Sequence, residues 1–338
     1  MKIIECVPNF SEGKNEETFD EMKHALDGIK NCKLLSLEPD GDYNRVVVTL
    51  AGNEKGILQG AITTSLVAAR NIDMRIHKGE HPRLGAIDVV PFVPVKKATM
   101  EECVKISEAY AESISEKLNI PVYLYEAAAR KSARKNLSDI RKGEYEALEE
   151  KLKDPEWLPD FGTNVFNPKL GAIVTGARFF LIAYNVNIQS PDVKYAKEIG
   201  ETLRESGYAK RDETGKIIKV NGETIKIPGR LKSVKAMGVS LEKLRITQVS
   251  MNLTNYNVTP LHLAFEEVKK EASRLGVEIN GSEIVGLVPL EALIQTGKYY
   301  ADGKNYDEKS LVDLAIEKLG LNSINYFNKN EKIIDYMI

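Results

Sequence analysis

Cys32-Lys-Leu-Leu-Ser-Leu37, the turn cluster Glu38-Pro-Asp-Gly-Asp42 and Arg45-Val-Val-Val-Thr-Leu50 read as two strands with a turn between them. The β-branched run Val46–Thr49 favours an extended chain, and Pro, Asp and Gly supply the break. On either side the apolar spacing changes from two to about 3.6 residues. From Glu16 to Ile29 the residues Phe19, Met22, Leu26 and Ile29 form one helical stripe, and a second helix is predicted over Lys55–Arg70. Before the first helix lie the apolar run Ile3–Pro8 and the turn Asn9-Phe-Ser-Glu-Gly13. After the second comes a strand over Ala86–Val95. The order is βαββαβ.

The same order recurs downstream. Phe180–Ile188, Leu231–Val239, Gln248–Leu253 and Glu283–Pro289 read as strands, and Val193–Ser206 and Pro260–Leu275 as helices. Each final strand is expected to end in Val-Pro. The halves share no obvious sequence, so the repeat is one of architecture: an α/β (α+β) chain of two ferredoxin-like βαββαβ subdomains, 1–179 and 180–338, each a sheet with helices on one face. Between the halves Glu101–Leu118 reads as an amphipathic helix, Val122–Tyr125 as a short strand and Ala127–Lys153 as helical. Residues 155–171 form an irregular apolar stretch, and 208–230 an inserted hairpin with Asn221-Gly222 as turn signal.

The chain has 338 residues, 43% apolar and 28% charged, with net charge -2. That balance gives no reason to expect a nucleic-acid partner. No apolar run reaches the ~18 residues of a membrane span, and the N-terminus lacks a signal-peptide layout. Cys6, Cys32 and Cys103 are odd in number and scattered, which fits reduced thiols in a cytoplasmic setting, packed as small apolar groups.

Chemistry concentrates in His77-Lys-Gly-Glu80-His81-Pro-Arg83, which holds two of the four histidines. Imidazole moves protons at neutral pH, and Arg83 suits a carboxylate. Gly79 and Pro82 oppose a continuous helix, so the i, i+4 pair is not a helix-borne metal motif, although a site from His77, Glu80, His81 and Asp88 is conceivable. The acidic turn at 38–42, which runs on to Asn44-Arg45, either holds a cationic group or is turn chemistry alone. His24 reads as a surface or boundary residue, and His262, in a helix's first turn, as either functional or structural. Gly171-Ala-Ile-Val-Thr-Gly176-Ala-Arg178 has a glycine-loop flavour without nucleotide-site spacing.

Taken together, Cys6-Val-Pro-Asn-Phe-Ser-Glu-Gly13, Asn44-Arg45, Gly79-Glu-His-Pro-Arg83, Pro91-Phe-Val-Pro94, Gly171-Ala, Gly176-Ala-Arg178, Asn185-x-Asn187, Gln248-Val-Ser and Gly281-Ser-Glu resemble the glutamate formimidoyltransferase family along the whole chain, in its stand-alone form. The resemblance implies transfer of a formimidoyl group from N-formimidoyl-L-glutamate to N5 of tetrahydrofolate, a step of histidine degradation. It implies a folate tunnel between two subdomains, a homodimer, and no metal. His81 matches the catalytic histidine. Glu38 and Asp40 match an acidic pair, with Glu38 standing where the family pattern has Asp. The folate-binding segment corresponds to Gly162, Thr163, Asn164, Val165, Phe166, Asn167, Pro168, Lys169, Leu170 and Gly171. Arg83, with neighbouring Asn44 and Arg45, is expected to hold substrate carboxylates. The alternatives are formyl transfer from N-formylglutamate, a metal-dependent amidohydrolase, or a folate-binding module without catalysis.

Overall fold

The predicted hairpin anchors the first of two compact units. The computed structural model describes residues 2–338, and the chain divides after Phe179. The first unit contains β1 (Ile3–Cys6), β2 (Asn9–Phe10), α1 (Glu16–Leu26), β3 (Cys32–Asp40), β4 (Arg45–Gly52), α2 (Glu54–Asn71), β5 (Ile87–Lys96), α3 (Met100–Leu118), β6 (Val122–Glu126), the short helices α4 (Leu137–Ile140) and α5 (Leu148–Lys151), and β7 (Ile173–Ala177). β3 pairs antiparallel with β4 from Cys32↔Gly52 to Asp40↔Arg45. β4 pairs with β1 and β2, and these pair with β5. This is the ferredoxin-like order. Two further strands extend it, β7 parallel to β5 and β6 parallel to β7.

Strand alternation sends Ile4, Cys6, Phe10, Val46, Val48, Leu50, Val90 and Phe92 into one core with Phe19, Met22, Leu26, Ile57 and Tyr110 of the helices. Side-chain caps start these helices. Asn15 and Asn53 accept from the amides of Thr18 and Gly56, and Thr99 with Glu102 forms a reciprocal capping box. A smaller core of Leu84, Val89, Tyr123, Tyr125, Ile140, Leu148, Leu152, Ala172 and Val174 packs residues 137–152 against β5, β6 and β7.

The second unit, Phe180–Met337, repeats the order. It contains β8 (Ile182–Ile188), α6 (Val193–Leu203), β9 (Tyr208–Ala209), β10 (Lys219–Val220), β11 (Glu223–Thr224), β12 (Lys226–Ile227), β13 (Val234–Leu241), β14 (Ile246–Leu253), α7 (Leu261–Arg274), β15 (Ile279–Val285), α8 (Leu290–Ala301) and α9 (Glu308–Leu319). The main sheet runs β13-β14-β8-β15, antiparallel throughout. The insertion forms two small ladders, β10–β11 and β9–β12. The first is closed by Asn221 and Gly222, both at positive φ.

Several expectations are corrected. Glu38, Pro39 and Asp40 belong to β3, and the turn begins at Gly41. Proline fits there because β3 is an edge strand. Residues 127–153 are broken into single turns, since Gly143 and Glu144 both take positive φ in the middle. Gly171–Arg178 is largely strand β7. β15 ends at Val285, so Val288-Pro289 follows the strand and leads into α8, a helix the spacing analysis did not resolve.

Candidate active site

Helix α2 ends at Asn71, and the chain then runs irregularly to β5. This loop is built against the 41–44 turn. Asn44, at φ 48°, is the bracket. Its Oδ1 accepts from the Gly13 amide at 2.9 Å, its Nδ2 donates to the Lys78 carbonyl at 2.7 Å, and its carbonyl accepts from His77 Nε2 at 2.9 Å. Gly79 lies so close that a Cβ there would collide with the Tyr43 carbonyl and come within 2.7 Å of Asn44 Cβ. Glycine is therefore required by the approach of the backbones.

His77 is fully engaged. Nε2 donates to Asn44, and Nδ1 accepts from Arg83 Nε at 3.5 Å, which assigns the neutral Nε2–H tautomer. With both nitrogens in use, His77 is not free to ligate a metal. Among the described residues no group of three or more His, Cys, Asp or Glu side chains is arranged to hold a metal ion. Arg83 is buried, and Glu144 and Glu146 occupy both of its Nη atoms at 2.7–2.9 Å. A substrate carboxylate at Arg83 would have to displace them. The Asn44 side chain is likewise spent on Gly13 and Lys78.

His81 stands apart from this network. It is half-buried, with the Tyr43 ring roughly perpendicular to its own at 6.3 Å between centroids. Burial and then the charges of Arg141, Arg45 and Arg83 push its pKa down to about 4, with Asp40 pulling the other way. At neutral pH it is an uncharged base in a cationic setting. Arg45 Nε is buried without a hydrogen-bond partner among the described residues, and its guanidinium lies 5.8 Å from the Tyr43 ring centre. Arg141 pairs with buried Asp88, whose carboxylate also accepts from the Leu84 amide. Asp40 Oδ1 accepts from the amides of Asp42 and Tyr43 at 3.0 Å, which shapes the turn. Glu38 is exposed two residues before it.

Residues 162–171 reach the same place. Gly171 bridges Gly85, the Ala86 amide donates to the Leu170 carbonyl at 2.9 Å, and the Met74 amide donates to the Lys169 carbonyl at 2.9 Å. Asn167 Oδ1 accepts from the Lys169 and Leu170 amides, and Lys169 Nζ donates to the Arg70 carbonyl. Tyr145 packs on Phe166 at 5.5 Å and donates to the Pro168 carbonyl at 2.5 Å. Val165 is 67% exposed. His81, Asp40, Arg45 and the 162–171 segment thus gather at one end of one sheet. The sequence reading missed Glu144, Tyr145, Glu146 and Arg141, because a charged helical-looking stretch gave no sign that it folds back over Arg83. Gly143 was the one available hint.

Two family models cover nearly the whole chain: the N-terminal subdomain of the formiminotransferase domain over residues 3–178, and the formiminotransferase domain over 183–338. The chain belongs to the formiminotransferase family. It is 41% identical to glutamate formimidoyltransferase of Streptococcus pyogenes serotype M1, covering 90% of this chain and 95% of that protein. The glutamate formimidoyltransferase of Thermoplasma acidophilum is 39% identical over 94% and 98% of the two chains. Formimidoyltransferase-cyclodeaminase of Dictyostelium discoideum is 47% identical over the full length of this chain, which spans 60% of that longer relative. The paired α+β units expected for a formiminotransferase are those described above. No helix of the described residues is long and apolar enough to cross a membrane.

Proposed function

We propose that this chain transfers the formimidoyl group of N-formimidoyl-L-glutamate to N5 of tetrahydrofolate, with His81 carrying the proton. The supporting observation is a neutral imidazole among three guanidiniums, on a chain 41% identical to a named glutamate formimidoyltransferase. N5 attacks the amidine carbon, the N5–C bond forms, and His81 takes the N5 proton. The tetrahedral intermediate then collapses, the bond from that carbon to the glutamate nitrogen breaks, and His81 returns the proton to the departing nitrogen. The products are 5-formimidoyltetrahydrofolate and L-glutamate.

Arg45, with its unpartnered Nε, is the guanidinium best placed to take a carboxylate, and Arg83 acts behind it. Asp40, which bears electrostatically on His81, takes precedence over Glu38 as the carboxylate that favours the protonated amidine. Residues 162–171 offer folate an apolar edge at Val165 and Phe166 beside backbone and amide groups. In this reading residues 1–179 carry the proton transfer, and 180–338 form the second formiminotransferase subdomain.

The test is a spectrophotometric assay with tetrahydrofolate and, separately, N-formimidoyl- and N-formyl-L-glutamate. His81→Ala is expected to lower turnover by about 10²-fold or more, and a loss within about tenfold would remove His81 from the mechanism. Faster turnover of the formyl donor would move the reading to formyl transfer.

A further inference from the structure

Glu144 adopts φ 57° and ψ -159°, a backbone region that is essentially reserved for glycine. It follows Gly143, itself at φ 86°. The consequence is a sharp reversal. The Glu144 amide donates to the Arg141 carbonyl at 2.7 Å, and the next amide, of Tyr145, donates to the Arg83 carbonyl at 2.9 Å. A glycine would make this turn without strain. The chain instead carries a glutamate whose carboxylate reaches Arg83 Nη1 at 2.9 Å.

Fold stability does not explain that choice. The Glu144 side chain is 41% exposed, so its ion pair is screened by water and contributes little. Glu146 already holds Arg83 through both Nη atoms. What the strained residue does is close a chain of contacts. Glu144 joins Glu146 on Arg83 Nη1, Arg83 Nε meets His77 Nδ1 at 3.5 Å, His77 Nε2 holds the Asn44 carbonyl, and Asn44 Nδ2 holds the Lys78 carbonyl. The relay ties the loop that carries His81 to the turn that carries Tyr43, whose ring lies 6.3 Å from that of His81.

We propose that Glu144 is a positioning residue for proton transfer: its glycine-like turn lays residues 143–146 against the histidine loop, and its carboxylate locks the Arg83–His77–Asn44 relay behind His81. This rests on the reading of His81 as the catalytic base.

The test compares Glu144→Gly and Glu144→Gln in the full chain, with N-formimidoyl-L-glutamate and tetrahydrofolate as substrates. Glu144→Gly removes both strain and carboxylate. It is expected to melt no lower than wild type while kcat falls about 10- to 100-fold at nearly constant KM, the size of effect that a misplacement of about 1 Å produces. Glu144→Gln keeps the turn and an acceptor for Arg83, and its kcat is expected to stay above that of Glu144→Gly. A Glu144→Gly enzyme within about twofold of wild-type kcat overturns the proposal. So does one that melts well below wild type, because the residue would then be serving the fold, and so does a Glu144→Gln enzyme slower than Glu144→Gly. The His81→Ala control separates the two levels: an active His81→Ala sinks the catalytic reading itself, whereas an inactive His81→Ala beside a fully active Glu144→Gly sinks only the positioning role.

Discussion

His81 and His77 sit four residues apart and have opposite environments. Both nitrogens of His77 are in use, and no charge is asked of it. His81 is half-buried and faces Arg141, Arg45 and Arg83, with Asp40 as an opposing charge and the Tyr43 ring roughly perpendicular to its own. Its proton is therefore held weakly. A base must be unprotonated to act, so kcat/KM is expected to stay level with respect to this group above about pH 5 and to fall as pH drops through about 4. Asp40→Asn removes a charge that raises the His81 pKa, so the acid limb of the pH–rate profile should move to lower pH. A limb that stays put or moves up would show that Asp40 does not act on His81. The same depressed value contributes to folding: the stability gained from the neutral imidazole is full above the ordinary value of 6.5 and is lost as pH falls toward about 4.

The relevant elements are a hairpin and two loops, and the fit between them is steric. The β3–β4 turn and the histidine loop touch at Gly79, where even a methyl group meets the Tyr43 carbonyl. Gly79→Ala should push the turn from the loop, with a larger loss in kcat than in melting temperature, measured by steady-state kinetics beside calorimetry. Equal activity in that variant would mean that the loops need not touch for turnover. Most of this frame was legible in the sequence. The β-branched run Val46–Thr49 and the Phe19/Met22/Leu26 stripe specify their elements locally, through side-chain period alone. The histidine loop was legible as chemistry, because imidazole, guanidinium and glycine are rare together by chance. The stretch after Ala127 was not. Its apolar residues Leu137, Ile140, Leu148 and Leu152 pack on β5, β6 and β7 rather than on a helical neighbour, and a contact that distant leaves no period behind. Pro39 misled in the same way, since a proline marks a turn unless the strand is known to be an edge.

At the scale of the molecule, charge is distributed unevenly. The chain carries a net charge of -2, yet Arg45, Arg83 and Arg141 converge on His81. On the proposed function, that local field draws the anionic substrates against the whole-chain charge. KM for the glutamate donor is expected to rise several-fold from about 0.05 to about 0.5 M salt, as the Debye length shortens, while the melting temperature moves little. A salt-independent KM would show that recognition is not electrostatic. Finally, β7 lies parallel to β5, so both strands begin at the same end of the sheet. The loops that feed them, before Ile87 and before Ile173, are therefore neighbours although these strand starts lie 86 residues apart in the chain. That pairing works as a fixed hinge-post for two lips that are also stitched to each other, the Ala86 amide to the Leu170 carbonyl and the Met74 amide to the Lys169 carbonyl, so a change in the length of one lip is felt by the other.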